Sequence, residues 1–177
     1  MAPTSRRSSK PPQRPEVRST NPVAVFLEEE AAAFRPFEAL DQLSDAILDA
    51  PIPAAHAWSG RDLIAHLLGW LDDAIDVARE LGSSGTTQAR ERSRREFAAR
   101  GDDINAEIQA TWRELPLAEV RRRLRDVPDE VRRAVRDVPA AGWEADPENL
   151  RFIHIYTVEH YEDHLDDLGA ILAAARR

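Results

Sequence analysis

Apolar residues recur every three to four positions along four long stretches of the chain, and no stretch shows the two-residue alternation of a half-buried strand. The first runs from about Pro22 to Ala50, with Val25, Phe26, Phe34, Phe37, Leu40, Leu43, Ile47 and Leu48 on one stripe; Pro36 should kink or restart it. The second opens at Ser59, where Gly60, Arg61 and Asp62 complete a capping box, and runs to Leu81 before Gly82. Its buried face is Leu63, Ile64, Leu67, Leu68, Leu71, Ile75 and Ala78. Residues 83–102 are polar and arginine-rich, with breaks at Gly85 and Gly101, and read as a long, partly helical connection to a short helix from Asp103 to Glu114. The third stretch, Leu117 to Val138, points Leu117, Val120, Leu124, Val131 and Val135 inward and seven arginines largely outward, with Pro128 interrupting it. Asp146 as N-cap, Pro147 at the first helical position and Glu148 in the first turn start the last helix, which continues to the C-terminus. An all-α four-helix bundle is the fold these patterns predict.

Length supports one such domain, over residues 21–177. Residues 1–20 combine proline, serine and arginine with almost no large apolar side chain, so they are expected to form a disordered basic tail. Five basic residues against Glu16 give that tail a charge of +4, so the −8 of the whole chain leaves −12 on the rest. An acidic body argues against nucleic acid as the main partner. Charged residues make up 32% of the sequence and its apolar runs are short, so no membrane span is expected and a cytoplasmic protein is. There is no cysteine, which removes thiolate metal sites, disulfides and a cysteine nucleophile.

The last helix carries the chemistry. Positions 153, 157, 160, 164, 168 and 171 form one seam, occupied by Ile153, Thr157, His160, His164, Leu168 and Ile171, so two histidines stand where a bundle places leucine. Their i,i+4 spacing stacks two imidazoles about one turn, roughly 6 Å, apart. A metal–nitrogen bond near 2.0 to 2.1 Å then calls for a third ligand from a facing helix. His66, beside Leu63, Leu67 and Trp70 on the second helix, is the candidate. Three histidines leave coordination positions open for water or substrate, and zinc, nickel, iron or manganese would all accept them. A hydrogen-bonded interior role for each histidine is the competing reading.

The other polar candidates read as structural. His154 points to the edge of the buried stripe, His56 lies in a loop, Asp62 serves the capping box, and Asp163 and Asp167 belong to an acidic solvated face. Trp58 and Trp70 flank His66, and Tyr156 and Tyr161 flank the HxxxH pair, which would make an aromatic pocket or ordinary core. No glycine-rich phosphate loop and no nucleophile elbow are present.

Three segments, WSGRDLIAHLLGW (58–70), DINAEIQATWRELPLAEVRRRL (103–124) and EHYEDHLDDL (159–168), resemble the DinB-like superfamily. That superfamily includes the mycothiol-dependent maleylpyruvate isomerase N-terminal domains, bacillithiol transferase-like proteins and the ClbS/DfsB group. The resemblance covers most of residues 22–175. It implies a four-helix bundle, commonly up-down-down-up, with the long connection as its crossover. It also implies a metal triad of one histidine on the second helix and two on the fourth, which are His66, His160 and His164 here. The middle segment, with Asn105 and RELPLAEV, looks most like the ClbS/DfsB side, and the isomerase's second C-terminal domain has no counterpart in this sequence.

The reading that follows is a metal-dependent enzyme in which a three-His-bound divalent ion activates a thiol or water against a small electrophile. It would be a thiol S-transferase or isomerase, with a low-molecular-weight thiol such as mycothiol as cofactor, or a ClbS-like detoxifying hydrolase. A small-molecule binding or sequestering bundle and a structural dimerisation module are the alternatives. No catalytic acid or base and no cofactor-binding residue is assigned, and a homodimer is left open.

Overall fold

The computed structural model describes residues 21–176, and the expected tail at 1–20 lies outside them. The described residues form helices joined by turns, without a strand among them; one isolated antiparallel bridge joins Ile52 and Trp58. Helix α1 (Pro22–Phe34) starts where the Asn21 side chain accepts from Val23 N at 3.0 Å and Pro22 fits the first turn. As expected from Pro36, the α-helix stops there and a 3₁₀ segment (Arg35–Gln42) takes over, followed by the short α2 (Asp45–Leu48). The capping box at Ser59 is formed in full, with Asp62 Oδ2 accepting from the Ser59 backbone, and opens α3 (Gly60–Gly69).

Helix α4 (Leu71–Ser84) continues α3 beyond Trp70 and runs past the expected stop at Gly82. The turn that ends it is at Gly85, whose φ of 74° is in the left-handed region and whose N–H donates to Leu81 O at 2.9 Å. The connection expected over 83–102 is largely helix. Helix α5 (Ala89–Arg113) holds it together with the segment expected as a separate short helix, bending at Gly101 where φ is 2° and ψ −82°. Its start is capped from another helix: the Glu80 carboxylate accepts from Gln88 N at 2.6 Å and Ala89 N at 3.0 Å. Arg61 closes its end, donating to the carbonyls of Arg113 (2.8 Å) and Leu115 (3.0 Å). Helix α6 (Leu117–Asp137) passes through Pro128 without interruption; Pro128 is itself buried against the core.

A short α7 (Ala140–Ala145) leads to the last helical run, which is not the single helix expected. It divides into α8 (Glu148–His154), a π-helical turn (Ile155–Glu159), α9 (His160–Asp163) and α10 (Leu165–Ala174), with His164 at φ −105°, ψ 12° between the last two. The helix begins one residue later than expected, with Pro147 rather than Asp146 at the N-cap, while Asp146 Oδ1 accepts from Glu148 N at 3.1 Å. In the core, α4 lies along α6, α3 against α5 and α6, and the π-helical turn and α9 against α1. Gly69 permits the close approach of α5, since a Cβ there would sit 2.5 Å from Ile108 Cγ2. Buried leucine, isoleucine, valine and phenylalanine side chains from α1, α3, α4, α6 and α8–α10 fill the centre.

Candidate metal centre and its pocket

His66 comes from the middle of α3, buried at 7% exposure because the capping box fixes the start of the helix and Leu63, Ile64 and Leu67 turn that face inward. His160 and His164 come from the broken end of the last helical run. The Thr157 hydroxyl donates to Ile153 O at 2.7 Å, competing for the acceptor that the Thr157 N–H uses in a regular helix. The backbone then widens by one residue, so that the His160 N–H reaches back to Ile155 O.

The structure brings together the three histidines singled out in the sequence. Their rings lie 4.7 Å (His66–His160), 4.7 Å (His66–His164) and 5.0 Å (His160–His164) apart between centroids. Nε2 of His66 and Nε2 of His160 are 2.9 Å apart, and one ligand atom from each of the three lies within 4.8 Å of the others. Bonds of about 2.1 Å to one ion place nitrogen donors roughly 3 to 3.5 Å apart at octahedral to tetrahedral angles, so a small inward shift of His164 completes the set. Among the described residues this is the one group of three or more histidine or acidic side chains close enough to share an ion.

The protonation states suit a cation. Burial, with the neighbouring His164, pushes His66 down to about 4 against the opposing effects of Asp167 and Asn105. Burial and the two other histidines push His160 down to about 3 against the opposing effect of the Tyr156 backbone. Both rings are therefore neutral at neutral pH and offer lone pairs. Two facing Nε2 atoms at 2.9 Å need either a proton or a cation between them. His66 Nδ1, buried, makes no hydrogen bond.

One member of the site was misplaced by the sequence reading. Asp167, expected on a solvated acidic face, is 6% exposed and accepts from His164 Nδ1 at 2.8 Å. Its other oxygen is 3.6 Å from Nε2 of His56. The i,i+3 spacing of His164 and Asp167 was the available signal, masked by the acids at 162, 163 and 166. A carboxylate on Nδ1 sets the tautomer of the ring and leaves Nε2 free toward the site, the usual support of a metal-bound imidazole. Asp163 is exposed as expected, yet it lines the neighbouring pocket. Asp62 serves the capping box and pairs with Arg113 at 2.9 Å. His154 lies apart, 3.1 Å from Glu159 Oε1 and 3.5 Å from Glu29.

The aromatic expectation divides. Trp58 packs on the triad, 4.8 Å from the His66 ring and stacked 5.7 Å from His164. It is held there by a turn in which His56 (φ 54°) and Ala57 (φ 60°) are both left-handed, closed by Ile52 N donating to Trp58 O at 2.9 Å. Tyr161, by contrast, faces the core, donating to Glu30 at 3.3 Å and packing on Phe34. Trp70 and Tyr156 stand over a cavity of about 360 Å³ beside the triad, which His66, His160, Phe97, Asn105, Ile155, Glu159 and Asp163 complete. Asn105, within the middle segment of the resemblance, has a site role that sequence reasoning did not assign: its Oδ1 accepts from Trp70 Nε1 at 3.0 Å and it lies beside His66.

Compared with known proteins, residues 27–168 match the mycothiol maleylpyruvate isomerase N-terminal domain family. The chain belongs to this family. The match spans all three histidines and Asp167, and places the resemblance read in the sequence on the isomerase branch of the DinB-like superfamily. Neither the curated proteins nor the solved structures gave a match.

Proposed function

We propose that the chain is a metal-dependent enzyme in which His66, His160 and His164 hold a divalent ion at the floor of the Trp70–Tyr156 cavity and a small electrophile reacts there. The observation that carries this reading is the convergence of three imidazoles from two separate parts of the chain, with Asp167 on the outer nitrogen of one. A structural histidine needs no such convergence. A bound ion would supply a Lewis acid that makes a thiol or water nucleophilic at neutral pH. Because the chain has no cysteine, thiol chemistry would require a soluble low-molecular-weight thiol, and the family's name points to mycothiol.

The residues around the site have separable parts in this scheme. Asp167 orients the His164 ring. Trp58 covers the triad on one side, excluding water, while the cavity leaves the other side open to substrate. Read with the family, α1, α3–α4, α6 and α8–α10 would be the four arms of an up-down-down-up bundle, with α5 as the crossover between the second and third. Residues 21–177 would form this one domain.

The test is elemental analysis of the chain purified without a histidine tag, repeated on His160→Ala and His164→Ala. Close to one metal per chain, lost in both variants, is the expected result and would direct a screen of thiol-transfer and electrophile-opening reactions. Substoichiometric metal after reconstitution with zinc, nickel, iron and manganese would overturn the reading.

A further inference from the structure

Most side chains lining the cavity have no hydrogen-bond donor left to offer. Trp70 Nε1 donates to Asn105 Oδ1 at 3.0 Å. Ser93 Oγ gives its hydrogen to Asp73 Oδ2 at 2.7 Å and lies 3.3 Å from the Tyr156 hydroxyl, which leaves Ser93 as the acceptor for the phenol hydrogen. His66 and His160 turn Nε2 toward each other, where the proposed ion would sit. Glu159, paired with Arg151 and His154, and Asp163 accept only. Asn105 differs from all of these. An indole N–H can only donate, so the atom that faces it is the amide oxygen, and Nδ2 with its two hydrogens is turned away from Trp70. Nδ2 meets no acceptor among the described residues, yet it is not shut away from solvent as the unpartnered His66 Nδ1 is.

Asn105 is also held still. One turn further along α5, Ile108 is pressed against Gly69 of α3, and two turns along Arg113 pairs with Asp62 at 2.9 Å. Asn105 is near enough to His66 to oppose the burial that lowers that ring's pKa. A donor fixed in place before a ligand arrives suits an oxygen on which negative charge gathers during reaction. We infer that Asn105 Nδ2 is the cavity's donor to a substrate oxygen. The substrate is then an electrophile with an oxygen acceptor on an apolar body, which lies against Phe97 and Ile155, left 51% and 38% exposed at the cavity. This deepens the proposed function and rests on its placing of the substrate in the cavity.

Acetophenone and α-methylstyrene, which carry C=O and C=CH2 on the same frame, test the inference by titration of the full chain, first loaded with zinc and then after chelator treatment. Two variants remove the donor: Asn105→Asp keeps an acceptor for Trp70, and Asn105→Leu adds no charge. Both are expected to bind acetophenone about three- to tenfold more weakly than the parent, the worth of one hydrogen bond, with α-methylstyrene changed by less than about twofold. The infrared carbonyl stretch of bound acetophenone, lowered by the hydrogen bond in the parent, is expected to move back up in both. Undiminished acetophenone binding in either variant, an equal loss of both probes, an unmoved stretch, or a parent that binds no acetophenone would overturn the inference. A difference between parent and variants that persists in a chain unable to hold zinc would sink the metal reading and spare this one. Zinc held by the triad without that difference would do the reverse.

Discussion

At the scale of single residues, the arrangement around His164 turns on which ring nitrogen carries its proton. Asp167, buried and 2.8 Å from Nδ1, holds the proton on that nitrogen and presents the Nε2 lone pair inward. Asparagine at 167 keeps the shape and removes the charge, so it separates orientation by the carboxylate from simple packing. Asp167→Asn is therefore expected to weaken metal binding by about 10- to 100-fold, as measured by competition with a chelator, while the helical circular dichroism stays that of the parent. Affinity equal to the parent's would show that Asp167 is a structural partner of His164 and nothing more. The residue was not legible as a site member because it stands among the acids at 162, 163 and 166, which read together as a solvated face, although its i,i+3 spacing puts it on the side of the helix that His164 occupies.

Between elements, α5 approaches α3 closely at Gly69. A methyl group on Gly69 would meet Ile108 Cγ2 at 2.5 Å and Cδ1 at 3.0 Å, and a β-branched side chain on a helix has few rotamers with which to move away. Gly69→Ala is expected to destabilise the chain by about 1 to 3 kcal/mol despite alanine's better helix propensity. Gly69→Ala combined with Ile108→Ala should recover part of the loss, and chemical denaturation of the two variants checks both statements. A single variant as stable as the parent would mean that the two helices slide apart freely. The contact explains in part why α5 was the least legible element. Its sequence is polar nearly all round, so periodicity found no buried face; its start is closed by Glu80 of the preceding helix and its end by Arg61, 52 residues from the carbonyl it meets. Its exposed surface carries local pairs such as Arg94–Glu91 and Arg100–Glu107. The helices with apolar stripes were legible, and with them the triad, because His66, His160 and His164 fall on the inward faces of strongly patterned segments. Proline was read well at Pro36 and too strongly at Pro128, where burial within α6 holds the helix through it.

Across the whole molecule, α1, α6 and α9 are joined by a buried charge. Glu30 of α1, with no exposed surface, accepts from Arg132 of α6 at 2.6 Å and from the Tyr161 hydroxyl of α9 at 3.3 Å. Burial lifts the Glu30 carboxyl above its usual range even with Arg132 beside it, so the ionised pair is held by geometry rather than by a favourable medium. Removing one member leaves the other desolvated and unpaired, which costs far more than the intact pair contributes. Arg132→Ala is expected to destabilise the chain by about 3 to 5 kcal/mol, whereas Glu30→Leu with Arg132→Met, which removes both charges, should fall within about 1 kcal/mol of the parent or exceed it. Thermal and denaturant unfolding of the single and double variants measures both. Because Tyr161 follows His160 directly, the double variant should also be assayed for metal. Stability regained without metal binding would mean that the Glu30 contact to Tyr161 holds α9 in the register the triad needs, and that the buried charge is kept for the site and not for the fold. Stability and metal binding regained together would leave the pair no role beyond joining α1, α6 and α9.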